Sequence, residues 1–304
     1  MSPTHQKHYA AAVSAFVIWG FFSIPLRSIK DYSAGEILYF RILFAAIALI
    51  FVVLVFRRKD LAADISKLKL MPARNRYFAI GLTLLGGALL CVNWLTFIHI
   101  VNSINIKTAS FSYLICPVIT AVLGYVLIKE KLNATQWTAV GLCALSCVLI
   151  GLNSALELGF SFLTAFTYAL YLITQRKNQG FDRMVVLAVQ IVFSLFLLTL
   201  VYNYLVAAVP DSQHFYWVII VIAVVFTVVP LFLNLFALNK INSATIGILM
   251  YINPIFNFAL AIIVFNETIS LLQAVGYLII IAALVLFNYS HLRKMQTVVG
   301  FRKA

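Results

Sequence analysis

The chain carries about ten apolar runs, each long enough to cross a lipid bilayer, which takes roughly 20 helical residues. They fall at about 8–27, 34–56, 76–100, 106–128, 134–151, 155–175, 184–208, 214–238, 243–265 and 271–290. Only short polar breaks separate them, which leaves no room for a soluble domain. No water satisfies a backbone in hydrocarbon, so such runs must fold as helices that close their hydrogen bonds within the segment. The expected fold is an all-α integral membrane protein of about ten transmembrane helices. Composition agrees: 63% of the 304 residues are hydrophobic and 10% are charged, against about 25% charged in an ordinary soluble domain. The first run is too long, and too rich in Trp19, Phe21 and Phe22, to read as a cleavable signal.

The formal charge of +13 does not point to nucleic acid, because the basic residues sit in the short breaks and set orientation instead. With ten spans, all but four of the 22 Lys and Arg residues face one side; Arg27, Lys30 and Lys107 face the other, and Arg41 lies inside a span. The excess of positive charge marks the cytoplasmic side, which places both termini there. Tyr202, Tyr204, Tyr216 and Trp217 cluster at the opposite interface. The segment DLAADISKLKL (60–70) puts Leu61, Ile65 and Leu68 on one helical face. It is expected to lie flat on the membrane surface, stopped by Pro72. Cys91, Cys116, Cys143 and Cys147 all lie in apolar runs without metal-binding or redox spacing and read as packing residues.

Pro117 stands near the middle of an apolar run, in FSYLICPVIT. A proline there removes a backbone hydrogen bond and clashes with the preceding turn. The shift that carries Pro117 onto Pro254 also carries Asn102 onto Asn239, Asn105 onto Asn242, Thr108 onto Thr245, Glu130 onto Glu267 and Gln136 onto Gln273. A slightly larger shift matches Trp19 with Tyr168 and Arg27 with Arg176. The chain therefore reads as two five-span repeats, 1–152 and 153–304. Five is odd, so the second copy enters the membrane from the opposite side. Inverted-topology repeats of this kind occur in many secondary transporters, which place their solute site near the midplane at weakened helices. Pro117 and Pro254 then mark a matched pair of hinge points in the fourth and ninth spans.

Ser110, Tyr113, Pro117, Thr120 and Gly124 share one side of the fourth span, and Gly247, Met250, Pro254, Asn257 and Ala261 do the same on the ninth. Close helix packing and cavity lining both fit the small residues. Tyr113 and Asn257 favour the cavity, being poorly suited to lipid. Asn93 and Asn234 fit either a hydrogen bond to a neighbouring helix or contact with a solute.

Glu36 follows Ser33 by three residues in SAGE and reads as half of a capping box. Arg41 lies one to two turns deeper and must pair, snorkel or face water. A buried partner such as Glu36 or a backbone carbonyl, and recognition of an anion, both fit it. His99 reads as an interfacial polar residue. NATQ (133–136) and SLLQ (270–273) read as capped helix starts, so Gln136 and Gln273 are structural. Glu130 and Glu267, just before those starts, read as turn-fixing residues.

The chain has no phosphate-binding loop, no His/Cys metal cluster and no nucleophile–His–acid set, and no aspartate lies well inside a span. No cofactor or metal is expected. The segments FVIWG (16–20), EILYFR (36–41), NWLTFIHIVN (93–102) and ASFSYLICP (109–117) resemble the drug/metabolite transporter superfamily, EamA family, RarD-like branch. TVVPLFLNLFA (227–237) and SATIGILMYINP (243–254) continue that resemblance into the second half. The chain departs from the branch pattern at His99 and Cys116.

The resemblance implies export of small metabolites or drugs across the inner membrane by alternating access. The expected partners are a small-molecule solute and the lipid bilayer, not nucleic acid; nothing in the sequence separates a monomer from a homodimer. Trp19, Trp94, Tyr113, Tyr168 and Tyr251 are the candidates to stack on the solute, and Asn93, Asn234 and Asn253 to orient its polar groups. A membrane-embedded enzyme acting on lipid would need a converging acid/base or metal set, which the chain does not offer. A scaffold or receptor would leave the repeat without a reason.

Overall fold

The computed structural model describes residues 3–129, 132–151, 154–238 and 249–300, and every regular element among them is helical. The expectations placed on Glu130, Asn239, Asn242, Thr245 and Gly247 lie outside the described residues. The first apolar run is broken in two, α1 (Pro3–Gly20) and α2 (Ser23–Arg27), with a turn at Phe21 and Phe22. Pro25 falls in the first turn of α2, where a missing amide proton leaves no helical bond unmade. Gly20 lets α1 approach a later helix closely: a Cβ on it would lie 2.6 Å from Cβ of Phe256.

Helix α3 (Ala34–Phe56) starts on the capping box. The Glu36 amide donates to Ser33 Oγ at 3.1 Å, and the Ser33 amide donates to Glu36 Oε2 at 2.9 Å. Helix α4 (Arg58–Leu70) buries none of its residues and ends just before Pro72. It is tied to the segment before α9: the Asp182 amide donates to Asp64 Oδ2 at 2.9 Å, and Lys67 Nζ donates to the carbonyl of Gly180.

Helix α5 (Ala73–His99) runs on through a π-helical turn at Ile100–Ile104. Helix α6 (Ile106–Ile128) is capped by Asn105, whose Oδ1 accepts from the Thr108 amide at 2.7 Å. Then come α7 (Ala134–Gly151), α8 (Ala155–Lys177), α9 (Arg183–Leu200), α10 (Tyr202–Leu205) and α11 (Gln213–Ala223). A second π-helical stretch, Val224–Val228, joins α11 to α12 (Val229–Leu238), and α13 (Ile252–Ile263) and α14 (Leu271–Gly300) complete the chain. The starts of α7 and α14 carry the reciprocal bonds expected of NATQ and SLLQ, Asn133 with Gln136 and Ser270 with Gln273.

Among the described residues, seven helical segments are long and apolar enough to cross a membrane: Gln6–Arg27, Ala34–Phe56, Ala73–Ile104, Ile106–Ile128, Ala155–Lys177, Arg183–Leu200 and Gln213–Asn234. Shorter apolar helices at Ala134–Leu149, Ile252–Ile263 and Leu271–Phe287 occupy the other three places where the sequence carries an apolar run. Two expectations change. The seventh run was expected to continue to 208, but α9 ends at Leu200 and a short turn of helix follows. Pro254 was expected in mid-helix; the chain instead turns at Met250 and Tyr251, and α13 restarts with Pro254 in its first turn. Pro117, by contrast, sits inside the continuous helix α6.

The bundle packs through a definite set of pairs. Helix α7 lies along α14, α6 along α8, α5 along α8 and α9, α1 along α12 and α13, α3 along α9 and α11, and α6 along α13. One apolar core joins α3, α5, α9 and α11, and includes the buried Leu38, Leu49, Ile98, Ile191 and Phe215. A second forms where α6, α7, α8 and α14 meet, around Phe111, Ile115, Ala165 and Ile280.

Candidate functional site

A cavity opens where the two halves of the chain meet. Phe16 and Trp19 of α1, Leu90, Trp94 and Phe97 of α5, Tyr113 of α6 and Tyr168 and Tyr171 of α8 supply most of its wall. Phe22, Arg41, Thr227, Leu231, Met250 and Asn253 complete it. The cavity is narrow, with a volume of about 70 Å³ open to the centre of a water-sized sphere. The rings are fixed by one another: Tyr113 meets Tyr168 edge-on at 5.7 Å between centroids, and Phe97 at 5.3 Å. Phe22 stacks on Phe97 at 5.8 Å.

Arg41 is the one charged group among the described lining residues, and only 3% of it is exposed. Its Nε donates to Thr227 Oγ1 at 3.0 Å, and its guanidinium carbon lies 4.8 Å from the Phe22 ring centre and 4.6 Å from that of Trp94. Each such cation–ring contact contributes about 0.5–2 kcal/mol, more when water is excluded. The Nη1 atom is buried with no hydrogen-bond partner. Glu36, one of the partners weighed for Arg41 from the sequence, turns back to the Ser33 amide at the start of α3. A side chain committed to its own helix end does not reach a residue one to two turns deeper.

Thr227 reaches Arg41 because it stands in the π-helical stretch, and its hydroxyl donates to the carbonyl of Ile222, five residues back, at 2.9 Å. The Phe226 carbonyl has no helical donor four residues on, where Pro230 lacks an N–H, and it accepts from Trp19 Nε1 at 3.0 Å. Single π-turns inside helices recur at functional sites.

Behind the wall, Asn93 is fully buried. Its Nδ2 donates to the Thr164 carbonyl at 2.7 Å, and its Oδ1 accepts from Tyr113 Oη at 3.3 Å. Thr164 Oγ1 in turn donates to Thr96 Oγ1 at 2.9 Å. On the opposite wall, Asn257 Nδ2 donates to Asn253 Oδ1 at 2.6 Å, and Ser23 Oγ donates to Asn257 Oδ1 at 2.5 Å.

A polar cluster, here called the latch, ties helix ends together at one end of the bundle. Glu267 accepts from the Ile106 amide at 2.8 Å and the Lys107 amide at 3.1 Å, and Arg27 Nη2 lies 3.3 Å from the same carboxylate. Lys107 Nζ donates to the carbonyl of Thr268. A carboxylate on the first amides of a helix satisfies donors that have no intrahelical partner and meets the positive end of the helix dipole. Glu157 joins the cluster, accepting from Thr108 Oγ1 at 2.7 Å and Asn105 Nδ2 at 3.2 Å. Glu267 was expected only to fix its own turn. That turn is closed by the backbone, Glu267 amide to Ala261 carbonyl at 2.9 Å, which frees the side chain to reach α6.

Of the residues singled out in the sequence, Trp19, Trp94, Tyr113, Tyr168, Asn253 and Arg41 line the cavity. Asn93 stands one layer behind it. Asn234, whose Oδ1 is buried without a hydrogen-bond partner, and Tyr251 are not in the wall. Glu36 is a helix cap at the edge of the bundle. Phe16, Phe97, Tyr171 and Thr227 were missed. Three of them stand three residues from a residue that was named, Phe16 from Trp19, Phe97 from Trp94 and Tyr171 from Tyr168, so helical spacing alone points to them. Nothing local points to Thr227. His99, away from the cavity wall, contacts Phe160 with ring centres 5.0 Å apart.

The profile of the EamA-like transporter family matches the chain twice, at residues 6–152 and 156–289. The chain is 26% identical over 284 residues to the uncharacterized transporter YojE of Bacillus subtilis, covering 92% of each protein. It is 27% identical over 285 residues to protein RarD of Streptomyces exfoliatus, covering 92% of this chain and 87% of the relative. Protein RarD of Escherichia coli is 26% identical over 289 residues, with 91% and 92% covered. One solved structure superposes with a TM-score of 0.63 at 13% sequence identity, covering 94% of this chain and 98% of that one, a likeness of fold alone. This multi-pass membrane protein belongs to the EamA-like transporter family.

Proposed function

We propose that the chain is a secondary transporter that exports a small aromatic or amphipathic solute across the inner membrane by alternating access. In this reading ten spans form two inverted halves, 1–152 and 153–304, with both termini cytoplasmic. The observation that carries it is the pattern of helix pairs. Exchange each span for its counterpart in the other half, and the most extensive helix pairs map onto one another. The pairing of α5 with α8 becomes that of α12 with α1, and α6 with α8 becomes α13 with α1. Likewise α5 with α9 becomes α11 with α3, while α3–α9, α6–α13 and α7–α14 map onto themselves. A bundle with this property has two equivalent ways to close, one at each membrane face, around a site on the axis between the halves. Residues from both halves line the cavity, which supports that reading, and in it the Glu267 latch closes the end assigned to the outside.

The Pro117 and Pro254 hinges belong to the same proposal. Pro117 denies the Tyr113 carbonyl its helical partner, and Pro254 follows a break in the chain. Pro117 weakens α6 in mid-helix, while Pro254 stands in the first turn of α13 just after the turn at Met250 and Tyr251, and the two helices face each other. The test is flux of labelled aromatic and amphipathic solutes into proteoliposomes of the purified protein without ATP. Saturable uptake of at least one solute above empty vesicles supports transport. Chemical change of lipid or solute without uptake supports the enzyme reading instead.

A further inference from the structure

We infer that the cavity binds a small aromatic monocarboxylate, held at its charged end by Arg41. This deepens the transporter reading and rests on it for the assignment of the cavity as a solute site. The argument begins with the donors of the guanidinium. Arginine has five N–H groups in one plane and stays charged under all ordinary conditions. In this chain Nε is taken by Thr227 and Nη1 is buried with no partner. The Phe22 and Trp94 rings are placed for cation–ring contact. Such contact balances charge but accepts no in-plane hydrogen bond.

No Asp or Glu is found among the described lining residues, and Arg41 is in no ion pair there. Snorkelling does not relieve the charge either, since the side chain is 3% exposed and points inward to Thr227. An arginine at this depth calls for a counter-charge, and the fold places a cavity in front of it. A carboxylate matches the planar fork in shape and charge.

The other walls define the body of the ligand. Trp19, Trp94, Phe97, Tyr113 and Tyr168 present rings, while the polar atoms of two of them are already committed: Trp19 Nε1 to the Phe226 carbonyl and Tyr113 Oη to Asn93. Asn253 Oδ1 is taken by Asn257. The site therefore offers aromatic surface, one cationic fork and the neutral polar groups of Tyr168, Tyr171 and Asn253, and among the described residues no anion to receive an ammonium group. It selects an apolar acid over an amine or a zwitterion.

The test uses intrinsic fluorescence, since Trp19 and Trp94, two of the four tryptophans, line the cavity. The purified protein in detergent at neutral pH is titrated with phenylacetate, its neutral isostere phenylacetamide, phenethylamine and phenylalanine. Phenylacetate should bind saturably and at least about tenfold more tightly than phenylacetamide, with the amine and the amino acid weaker still. Arg41→Gln should bring acid and amide to within about twofold of each other. Equal binding of acid and amide by the wild-type protein overturns the inference, as does binding of none of the four. Survival of the preference in Arg41→Gln overturns it too. If that variant does not fold, the wild-type series decides. Flux of a neutral or cationic aromatic solute without phenylacetate binding leaves transport standing and removes only the anion. Phenylacetate binding without flux of any solute keeps the anion site and removes transport.

Discussion

Arg41 and Thr227, 186 positions apart in the chain and one from each half, meet across 3.0 Å at the wall of the central cavity. The contact depends on two features of different kinds. Arg41 is set inside the membrane by its place in α3, seven residues past the first, about 10 Å along the axis. Thr227 is turned toward it by the π-helical stretch Val224–Val228, which also holds Trp19 through the Phe226 carbonyl.

Thr227→Val removes the acceptor for Nε while keeping the shape of the side chain. Hydrogen bonds to charged groups contribute about 1.5–3 kcal/mol, so the variant should lose stability of about that order. Thermal unfolding in detergent measures it. An unchanged melting temperature would show that Arg41 is held by its rings alone.

Glu267→Gln keeps an acceptor for only one of the Ile106 and Lys107 amides, which donate to different carboxylate oxygens, and it removes the charge that meets Arg27 and the positive end of α6. The ion pair is partly exposed, with 23% and 12% of the two side chains accessible, and contributes about 1 kcal/mol or less; the amide left without its acceptor adds about 1–3 kcal/mol to the loss of stability. The functional effect should be larger in kind. The latch end should open more often, seen as faster labelling of a cavity cysteine from that side. No change in labelling from either side would make the cluster a structural cap only.

Much of the fold is legible in the sequence because it is local. Ser33 and Glu36, Asn133 and Gln136, and Ser270 and Gln273 each announce a helix start within four residues, and the structure places all three there. Apolar runs and their ends follow from bilayer thickness. Part of the cavity is legible as well, since Trp19, Trp94, Tyr113, Tyr168 and Asn253 were named from residue type and repeat position. What the sequence hides is the partner at long range. The Thr227–Arg41 and Glu267–Ile106 contacts join distant spans, and no local pattern encodes either. The break at Met250 and Tyr251 is hidden for a different reason. A proline signals a disturbed helix but not whether the helix bends through it, as at Pro117, or restarts just before it, as at Pro254.

Gln190 offers a test of the packing between α5 and α9. It is 1% exposed, both of its amide atoms are buried without a partner among the described residues, and it lies against Gly86 and Gly87. An unsatisfied buried polar group costs about 1–3 kcal/mol. Gln190→Met, close in volume and flexible, should match or exceed wild-type stability. A lower melting temperature would show that a bound water satisfies the amide. Gly87→Ala in the same place should destabilise, because the new Cβ would lie 2.7 Å from the Gln190 carbonyl oxygen.

Pro117→Ala restores a backbone donor to the Tyr113 carbonyl and removes the ring clash. The variant should be more stable by about 1 kcal/mol and should transport about tenfold more slowly, equivalent to ~1.4 kcal/mol on the barrier. Flux in proteoliposomes and thermal unfolding report the two effects separately. Wild-type flux in a stabilised protein would make the proline a packing feature and remove the hinge.

The central claim, that one cavity opens to each face in turn, is tested by a single cysteine at Leu231 in the cavity wall. The four native cysteines, Cys91, Cys116, Cys143 and Cys147, are first replaced. Membrane-impermeant thiol reagent is then added to either side of oriented vesicles. The account predicts labelling from both sides and protection from both by one transported solute. It also predicts opposite shifts in side preference for Pro117→Ala and Pro254→Ala. Labelling from one side only, under every condition and in both variants, would contradict alternating access.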